Sequence, residues 1–313
     1  MQIFRSLHAL TPQQQGAVVA IGNFDGLHRG HQAILALTKK LADKQGKAAA
    51  ILSFAPHPRL YFLPSAPAFQ LTNWRCKAEL LASYGMNFLY LQHFGPALVK
   101  TNAQDFIEHI LIKQLKVSNI VVGQNFAFGH QRQGTIALLK EYHQFFSTTA
   151  LEPFTDANGT ICSSTTARRY LEEGQLDKLK DLLGRPWMIA GHVQHGRKQG
   201  RLLGFPTANL SVKDRLLPPY GIYTVRVKMN SNSAETIWQG VANLGIRPTF
   251  DAQEPLLEVH LFNFNQSLYG QRLYVQFHHF IRPEKKFSDL QKLSTQIAED
   301  CQQALFLLKK IDN

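Results

Sequence analysis

The sequence predicts two domains of different class: an α/β domain whose parallel sheet is flanked by helices, then a small antiparallel β-barrel that ends in a helix. Over residues 1–184, apolar runs alternate with helical patterns, which is the β-α-β rhythm of a parallel sheet. From about residue 188, short β-rich segments are separated by Gly, Pro and Asn turns, as in small barrels and sandwiches. A chain of 313 residues also exceeds what one core usually organises, so we expect domains at 1–184 and 185–313.

The elements of the first domain follow from their apolar patterns. Buried parallel strands are continuous apolar runs, whereas a helix places apolar residues on one side, as Ile34, Leu35 and Leu41 are placed. We therefore predict strands over 16–22, 48–54, 88–94 and 119–123, and helices over 30–45, 74–85 and 103–115. A linker over 166–184 is predicted to form one or two short helices that stop at Gly184.

The elements of the second domain are predicted from short β-rich segments. These segments are "MIAGHVQ", "PTANLSV", "GIYTVRVKM", "TIWQGVANLG", "LLEVHLFNF" and "RLYVQFHHFI". The chain then closes with a helix, because Leu290, Leu293, Ile297 and Leu305 recur at helical spacing. Ser288 is the expected N-cap of this helix.

Charge and cysteine content narrow the function classes. The net charge of +12 is evenly divided, with 18 basic and 12 acidic residues up to Gly184 and 16 and 10 after it. A nucleic-acid binder usually concentrates its charge in a stripe or tail, so we expect anionic small ligands in both halves and no nucleic acid. The separated cysteines Cys76, Cys162 and Cys301 exclude a disulfide framework and a CxxC zinc site. Without a membrane-length apolar run or a secretory pattern in "MQIFRSLHAL", we expect a cytoplasmic protein.

The stretch "IGNFDGLHRGHQ" places His28 and His31 beyond a glycine-rich turn, between a strand and a helix. It lacks the HExxH zinc pattern, and the spacing of Gly22, Gly26 and Gly30 matches neither a Rossmann nor a P-loop fingerprint. What remains is a helix N-terminus, which attracts anions through its N–H groups and dipole. Phosphate binding and plain turn-making both remain open from spacing alone.

Two further motifs fall where ligands bind in α/β folds. "SFAPHPR" and "VVGQNFAFG" follow predicted strands, and ligands of parallel sheets sit at the carboxyl ends of the strands. In "SSTTARR", Ser164 or Thr165 is an expected N-cap, which would place Arg168 and Arg169 in the first helical turn. Cations there oppose the helix dipole unless an anion is bound, although an exposed helix face could tolerate them.

Two polar features interrupt the predicted barrel strands. Thr207 and Asn209 in "PTANL" are two residues apart, so their side chains share one face and could provide oxygen ligands to Mg²⁺, or could bond only to each other. Glu258 in "LLEVHLF" shares a face with His260, opposite Leu257 and its apolar neighbours. A solvated strand carboxylate is the alternative interpretation of Glu258.

These motifs carry a family resemblance. "GNFDGLHRGH" resembles the signature of the nucleotidylyltransferase superfamily, and "FAPHP", "VVGQNFAFGHQRQG" and "SSTTAR" follow in the order seen in bacterial bifunctional riboflavin kinase/FMN adenylyltransferases (FAD synthetases). The second domain resembles their kinase module through "HGRKQGRLLGFPTANL", "PPYGIYTVRV", "GVANLGIRPTF", "LEVHLFNF" and "LYGQRLYVQFHHFIRPEKKF". The resemblance covers nearly the whole chain, in order.

The resemblance implies functional residues in the first domain. His28 and His31 are similar to catalytic histidines that contact the ATP phosphates. The other implied ATP-binding residues are Gly22, Asn23, Phe24, Asn125, Arg132, Ser164, Thr165 and Arg168. The implied flavin-binding residues are Pro56, Pro58, Phe62 and Phe128. Three positions depart from the family pattern: Gln70 stands where an arginine is frequent, Asn125 where Asp is commoner, and Ala167 where a branched aliphatic residue is usual.

The resemblance also implies functional residues in the second domain. Glu258 matches a general base that takes the proton of the ribityl 5′-hydroxyl. Thr207 and Asn209 match Mg²⁺ ligands, and Arg282 and Phe287 resemble residues at the flavin end of the site. The implied nucleotide-binding residues are Gly191, His195, Gly196, Gly200, Gly204, Pro206, Thr207 and Asn209.

The sequence thus predicts a bifunctional enzyme that converts riboflavin to FMN with MgATP and FMN to FAD with a second ATP. We expect riboflavin, FMN, FAD and ATP as its ligands, Mg²⁺ as its metal, no membrane partner and a monomeric state. Two alternatives remain open. One activity could be live while the other domain serves as a flavin-binding regulator, or the basic chain could bind nucleic acid.

Overall fold

The computed structural model describes residues 1–156, 159–195, 200, 203–213, 215–229, 236–248 and 253–312. The chain divides into two compact units. The first comprises Met1–Pro67 and Asn73–Ser164, and the second comprises Ala68–Thr72 and Thr165–Asn313. The segment 166–184, expected as a linker, is therefore part of the second unit, as is a five-residue segment taken from the middle of the first.

The first unit contains a parallel sheet, as predicted. Its strands are β1 (Gln2–Phe4), β2 (Val18–Ile21), β3 (Ala49–Ala55), β4 (Phe88–His93), β5 (Asn119–Gly123) and β6 (Ser147–Leu151). They lie in the order β1-β4-β3-β2-β5-β6, and every neighbouring pair is parallel. The two edge strands, β1 and β6, were not predicted, because neither is a continuous apolar run.

Helices cover this sheet, as expected of a β-α-β chain. They are α1 (Arg29–Gln45), α2 (Pro58–Phe62), α3 (Trp74–Ser83), α4 (Pro96–Lys100), α5 (Ala103–Asp105), which continues in a π-helical stretch over Phe106–Gln114, and α6 (Ile136–Glu141). Helix α1 ends at Gly46, whose φ of 63° is the left-handed cap conformation that glycine adopts readily. Short 3₁₀ turns cover Pro12–Gln14 and His130–Arg132.

The apolar runs predicted as central strands are buried on both faces. Along β2, Val18 and Ala20 pack into a core cluster that includes Leu35 of α1. The alternate residue Val19 packs into a second cluster with Ile107. Because successive side chains of a strand point to opposite faces, one continuous apolar run serves both layers.

The second unit contains two helices, the first of which starts one residue earlier, at Ser164 of the first unit, and a closed barrel. Its elements are α7 (Ser164–Glu172), α8 (Leu176–Leu183), β7 (Met188–Gln194), β8 (Ala208–Ser211), β9 (Gly221–Lys228), β10 (Trp238–Pro248), β11 (Gln253–Leu261), β12 (Arg272–Arg282) and α9 (Leu290–Asp312). The strands close in the order β10-β11-β8-β7-β12-β9, with antiparallel neighbours. The predicted barrel and terminal helix are confirmed.

Two expected helix caps differ from the structure. Helix α9 begins at Leu290, and the Asp289 carboxylate accepts the backbone N–H of Lys292 at 2.8 Å, so Asp289 caps the helix and the prediction for Ser288 is wrong. Helix α7 already includes Ser164, so Ser164 is its first residue and Arg168 its fifth, just beyond the first turn. The dipole argument for a bound anion is weaker there, because the field of a helix end falls off within one turn.

The terminal helix is less deeply buried at its start than its sequence pattern suggested. Leu290 is 68% exposed, whereas Ala304 and Leu308, a few turns later, are fully buried. Among the helices of the described residues, none is long and apolar enough to cross a membrane.

Candidate active sites

The loop after β2 lies at the place where ligands bind in open parallel sheets. The sheet runs outward from β2 through β3 to β4 on one side, whereas β5 lies on the other side of β2. The carboxyl ends of β2 and β5 therefore flank the point where the strand order reverses, and ligands of such folds bind there. The predicted motifs 22–28 and 124–129 follow these two strands.

The structure brings the two predicted histidines together. His28 is the N-cap of α1, and its Nδ1 accepts the backbone N–H of His31 at 3.3 Å. The two rings are stacked with centroids 3.7 Å apart, and the Phe24 ring lies 5.0 Å from that of His31. Because Nδ1 of His28 is an acceptor here, the neutral ring carries its proton on Nε2. His28 thus caps the helix through Nδ1, and its Nε2–H group is a donor suited to an anion.

The loop before His28 is held in an unusual backbone conformation. Phe24 and Leu27 have φ angles of 49° and 43°, a backbone conformation that residues other than glycine rarely adopt. The side chains of both residues are buried. Three side chains bind carbonyl oxygens of this loop: Gln32 Nε2 donates to Leu27 O at 2.8 Å, Lys77 Nζ to Asn23 O at 2.8 Å, and Ser164 Oγ to Asp25 O at 2.9 Å. Strained backbone that is held in this way is frequent at functional sites.

Lys77, which sequence reasoning missed, is a buried cation behind this loop. It is 4% exposed, and burial lowers the pKa of its ammonium group, while the Asp25 carboxylate raises it. A signal for it was present in the sequence. Lys77 lies one helical turn before the fully buried Leu81, so a lysine occupies the apolar side of α3.

The segment after β3 contains the residues expected to hold a flavin ring. Pro56 and Pro58 precede and begin α2, and Phe62 at its end is 60% exposed. The ring of Phe94, which directly follows the neighbouring strand β4, lies 5.6 Å from that of Tyr61 and 5.8 Å from that of Phe62. Sequence reasoning missed Tyr61 and Phe94, although the position of Phe94 after a strand was a signal.

The segment after β5 is divided between the surface and the core. Asn125 and Arg132 are exposed, and Arg132 lies in a 3₁₀ turn with a φ of 60°. Phe128, expected to contact flavin, is 7% exposed and packs in the core against Phe106 and Phe126, with ring centroids 5.3 and 5.5 Å away. The buried Phe128 side chain thus fixes this segment to the core of the first unit.

The division between the two units falls inside the "SSTTAR" motif. Ser164 belongs to the first unit, whereas Thr165 and Arg168 belong to the second. Within the second unit, Arg168 Nε donates to Phe69 O at 2.8 Å, and its guanidinium lies 5.1 Å from the centre of the Phe69 ring. Arg168 therefore holds the segment 68–72. This segment includes Gln70, the position at which the family pattern frequently has an arginine.

The second unit contains a cavity of about 420 Å³ between the barrel strands and α9. Glu258 and Asn243 line it, while Leu257 and Leu244, which alternate with them along the strands, are fully buried. The cavity therefore lies on the face of the sheet that is turned away from the barrel interior. From α9, Leu293, Ile297 and Asp300 complete its wall.

Five residues form one continuous row along this cavity. Asn209 of β8 lies opposite Glu258 of β11, Glu258 lies opposite Asn243 of β10, Asn243 opposite Ile222 of β9, and Ile222 opposite Arg282 of β12. All five line the cavity. Directly opposed residues on neighbouring strands point to the same face, so the row brings together residues from five strands.

Two amide groups in this row lack partners. The Oδ1 atoms of Asn209 and Asn243 are buried and have no hydrogen-bond partner among the described residues. Leaving such an acceptor unsatisfied costs about 1–3 kcal/mol, so both positions favour a ligand. Asn209 and Thr207 together suit a hard cation that is also bound by phosphates. Within the described ranges there is no cluster of three or more His, Cys, Asp or Glu that could hold a metal alone.

The far end of the row is fixed by an ion pair. Arg282, expected near the flavin, donates from Nε and Nη2 to the two carboxylate oxygens of Asp300 at 2.8 and 2.6 Å. Its guanidinium also lies 5.9 Å from the ring centre of Phe287, the other residue expected there. Sequence reasoning missed Asp300, although an acidic residue among Ile297, Ala304 and Leu308 on one side of a helix was a signal.

Two of the predicted nucleotide-binding residues line a smaller cavity of about 70 Å³. Pro206, Thr207 and Tyr269 line it, and the His195 ring stacks on Tyr269 with centroids 4.2 Å apart. Thr207 lines both cavities, so the smaller one adjoins the β8 end of the row.

The four glycines predicted around the nucleotide differ in their surroundings. Gly191 lies in β7, and Gly204 has a φ of 85° in a turn. A side chain at Gly200 would lie 2.4 Å from Phe205 O, so the backbone approaches closely there. Gly196 lies outside the described residues.

Comparisons with known proteins match both units. A family model described as FAD synthetase matches residues 10–165, and one described as riboflavin kinase matches residues 183–308. The bifunctional riboflavin kinase/FMN adenylyltransferase of Pseudomonas fluorescens is 39% identical over 96% of both chains, and that of Haemophilus influenzae is 37% identical over 97% of this chain and 98% of its own. A crystal structure from Streptococcus pneumoniae, titled a macrolide-efflux protein, is 30% identical with a TM-score of 0.82 over 96% of both chains.

The fold and these matches define a class, the two-domain transferases that join a nucleotide-binding α/β unit to a kinase barrel. Within that class, the chain belongs to the family of bifunctional riboflavin kinase/FMN adenylyltransferases. The resemblance seen in the sequence is confirmed. Kinases and nucleotidyltransferases that use ATP work with a divalent metal.

Proposed function

We propose that this enzyme phosphorylates riboflavin with MgATP in the barrel cavity and adenylylates FMN at the β2–α1 loop. We assign the first reaction to residues 185–313 and the second to residues 1–184. The position of Glu258 carries the proposal, because it stands in the middle of the row, between the two buried amide oxygens that lack partners among the described residues. A cavity of about 420 Å³ is also within the usual range for small-molecule sites.

In the kinase reaction, Glu258 accepts the proton of the riboflavin 5′-hydroxyl while that oxygen attacks the γ-phosphorus of ATP. The bond from the γ-phosphorus to the bridging oxygen breaks, and the products are FMN and ADP. We place the nucleotide at the β8 end, because Thr207 lines both the main cavity and the smaller cavity beside Tyr269. The flavin then occupies the opposite end, toward Ile222 and Arg282.

Thr207 and Asn209 are the residues proposed to hold Mg²⁺. The unpartnered, buried Oδ1 of Asn209 fits an oxygen ligand to a hard cation. When bound, Mg²⁺ neutralises negative charge on the nucleotide phosphates and so favours their transfer. Neither residue carries a net charge, so the charge of the ion would be balanced mainly by the phosphates of the nucleotide.

In the adenylyl transfer, an oxygen of the FMN phosphate attacks the α-phosphorus of ATP, and pyrophosphate leaves. The attacking phosphate is already ionised at neutral pH, so no general base is needed. The role of the loop is to bind and stabilise charge. His28, through Nε2–H, and His31 donate hydrogen bonds to phosphate oxygens at the start of α1, where the helix dipole also favours negative charge. We further propose that the enzyme works in the cytoplasm, where its free cysteines stay reduced.

The proposal is tested by Glu258→Gln, which keeps the size of the side chain and removes its basicity. We expect phosphorylation of riboflavin to fall by roughly two to four decades, the usual worth of a general base, with adenylylation of supplied FMN unchanged. Glu254→Gln is the matched control, because Glu254 lies on the same face of β11, pairs with Lys213 and does not line the cavity. Chromatography of the flavin products from each half-reaction gives both rates.

Three results would count against the proposal. Normal FMN production by a folded Glu258→Gln variant would remove Glu258 from the chemistry. Failure of the unmodified enzyme in one half-reaction would favour a single live activity with a regulatory flavin domain. Tight, salt-sensitive oligonucleotide binding without flavin turnover would favour nucleic-acid binding instead.

A further inference from the structure

Asn243 is a polar residue of the cavity to which neither the motif analysis nor the proposed reaction gives a role. We propose that its amide side chain binds a secondary hydroxyl of the acceptor's polyol chain and thereby selects flavins that carry a hydroxylated chain. This inference rests on the proposed function, since it requires that the acceptor alcohol bind in this cavity.

The row fixes where along the acceptor Asn243 acts. Asn209 and Asn243 flank Glu258 on opposite sides, and the nucleotide end is that of Asn209. Neighbouring strands are about 4.8 Å apart, so the backbones of Asn209 and Asn243 are separated by about 10 Å. Glu258 stands between them, so a cation held by Thr207 and Asn209 lies on the side of Glu258 that is away from Asn243. Asn243 therefore faces the acceptor, on the side away from the transferred phosphate.

The next residue in the row shows which part of the acceptor it faces. Beyond Asn243 come Ile222 and then Arg282, beside which Phe287 lies. An acceptor whose terminal hydroxyl is at Glu258 and whose aromatic ring is at the end formed by Ile222, Arg282 and Phe287 must pass its connecting chain across Asn243. In riboflavin that chain carries hydroxyls a few bonds back from the terminal one.

The chemistry of the position suits a hydroxyl. The Oδ1 atom of Asn243 is buried and has no hydrogen-bond partner among the described residues, so it needs a donor. A hydroxyl can donate to Oδ1 and accept from Nδ2, which a plain alkyl chain cannot do. Val241 and Leu256, which are apolar, also line the cavity. A buried polar group that is left unpaired discriminates strongly against ligands lacking its partner.

The test compares two acceptors on the full-length enzyme. One is riboflavin, and the other is the same ring system with an ω-hydroxypentyl chain, which keeps the terminal hydroxyl and lacks the secondary ones. For Asn243→Leu, which is similar in shape but apolar, we expect kcat/KM for riboflavin to fall roughly 10- to 100-fold, the worth of one buried hydrogen-bonding group. Phosphorylation of the analogue should be unchanged or faster, so the preference for riboflavin disappears, while KM for ATP stays constant.

Binding measurements and two further variants complete the test. Quenching of flavin fluorescence should give the same loss of preference in the Kd values of the two acceptors. Asn209→Leu should slow both acceptors equally, because its proposed role concerns the nucleotide and metal. If Asn243→Leu proves unfolded, Asn243→Ser, which is smaller and retains a hydroxyl, replaces it and should keep part of the preference.

The outcomes separate this inference from the proposed function. Equal losses for both acceptors, or an unchanged preference for riboflavin in the Asn243 variants, would overturn the role of Asn243 while leaving Glu258 intact. Normal phosphorylation by Glu258→Gln would instead overturn the proposed site, and the role of Asn243 with it.

Discussion

The guanidinium of Arg282 and the carboxylate of Asp300 meet in two hydrogen bonds, Nε to Oδ1 at 2.8 Å and Nη2 to Oδ2 at 2.6 Å. The pair joins the end of β12 to α9, and Asp300 is 3% exposed. Since both residues line the larger cavity, the same contact fixes a wall of the proposed kinase site. The pair thus couples the stability of the terminal helix to the shape of the site.

Asp300→Ala is expected to weaken both helix docking and riboflavin binding. Removing one partner of a buried ion pair leaves the other charge uncompensated and commonly costs about 3–5 kcal/mol. The Arg282 side chain is 19% exposed, so we expect about 2–4 kcal/mol here. Urea unfolding measures the stability, and the KM for riboflavin should rise. Glu299→Ala, at the exposed neighbouring position of α9, should change neither, and an unaltered Asp300→Ala enzyme would contradict the coupling.

Two substitutions at His28 separate its structural and chemical tasks. Asparagine is a good helix N-cap and alanine is a poor one, but neither supplies an imidazole. We expect His28→Asn and His28→Ala both to slow adenylylation of FMN by about two to three decades, the usual cost of losing a transition-state donor. Only His28→Ala should also lose about 1 kcal/mol of stability from the missing cap.

The kinase half-reaction is the internal control for both His28 variants, and it should proceed at the normal rate. Stability is read from thermal unfolding followed by circular dichroism. Full adenylyl transfer by His28→Asn would show that the histidine serves only as a cap.

Lys77→Met should impair adenylyl transfer without affecting the kinase reaction. The substitution keeps an unbranched side chain, one atom shorter, but removes the hydrogen bond to Asn23 O, which helps to hold the strained loop. Steady-state adenylylation of FMN measures the effect, and Lys39→Met, on the exposed side of α1, is the control. Equal rates in the two variants would contradict a role for Lys77.

The same variant gives a pH dependence of known sign. Burial lowers the pKa of Lys77 below its ordinary value of 10.5, so between the folded and the ordinary pKa the unfolded chain binds more protons than the folded one. The stability of the unmodified enzyme relative to Lys77→Met should therefore rise as the pH rises toward 10.5. Urea unfolding of both proteins from neutral to alkaline pH measures this difference. A flat or falling difference would contradict the shift.

Local sequence patterns predicted the parts of the fold that rest on local physics. The strands β2, β3 and β5 are continuous apolar runs, and the glycine-rich stretch containing His28 predicts a turn between a strand and a helix. By contrast, β1 and β6 depend on their neighbours in the sheet, so nothing within three or five residues identifies them. The cap of α9 was misplaced by one residue because Ser288 and Asp289 are both good capping residues.

The residues missed at the sites differ in how far the sequence marked them. Asp300 and Lys77 interrupt the apolar sides of helices, whereas Asn243 becomes significant only through its register with Glu258. That register joins residues that are distant in the chain, and no periodicity records it. The motifs could single out Thr207, Asn209 and Glu258 as candidates because a family resemblance supplied the same kind of long-range information.

The segment Ala68–Thr72 belongs to the second unit, although the chain on either side of it belongs to the first. During synthesis these residues therefore leave the ribosome well before the barrel strands they join, which follow Arg185. For example, Trp187 Nε1 can donate its hydrogen bond to Leu71 O only after the whole first unit has been synthesised. A gene cut once between residues 164 and 187 would place Leu71 and Trp187 on separate products, so neither product would contain all the residues of the second unit.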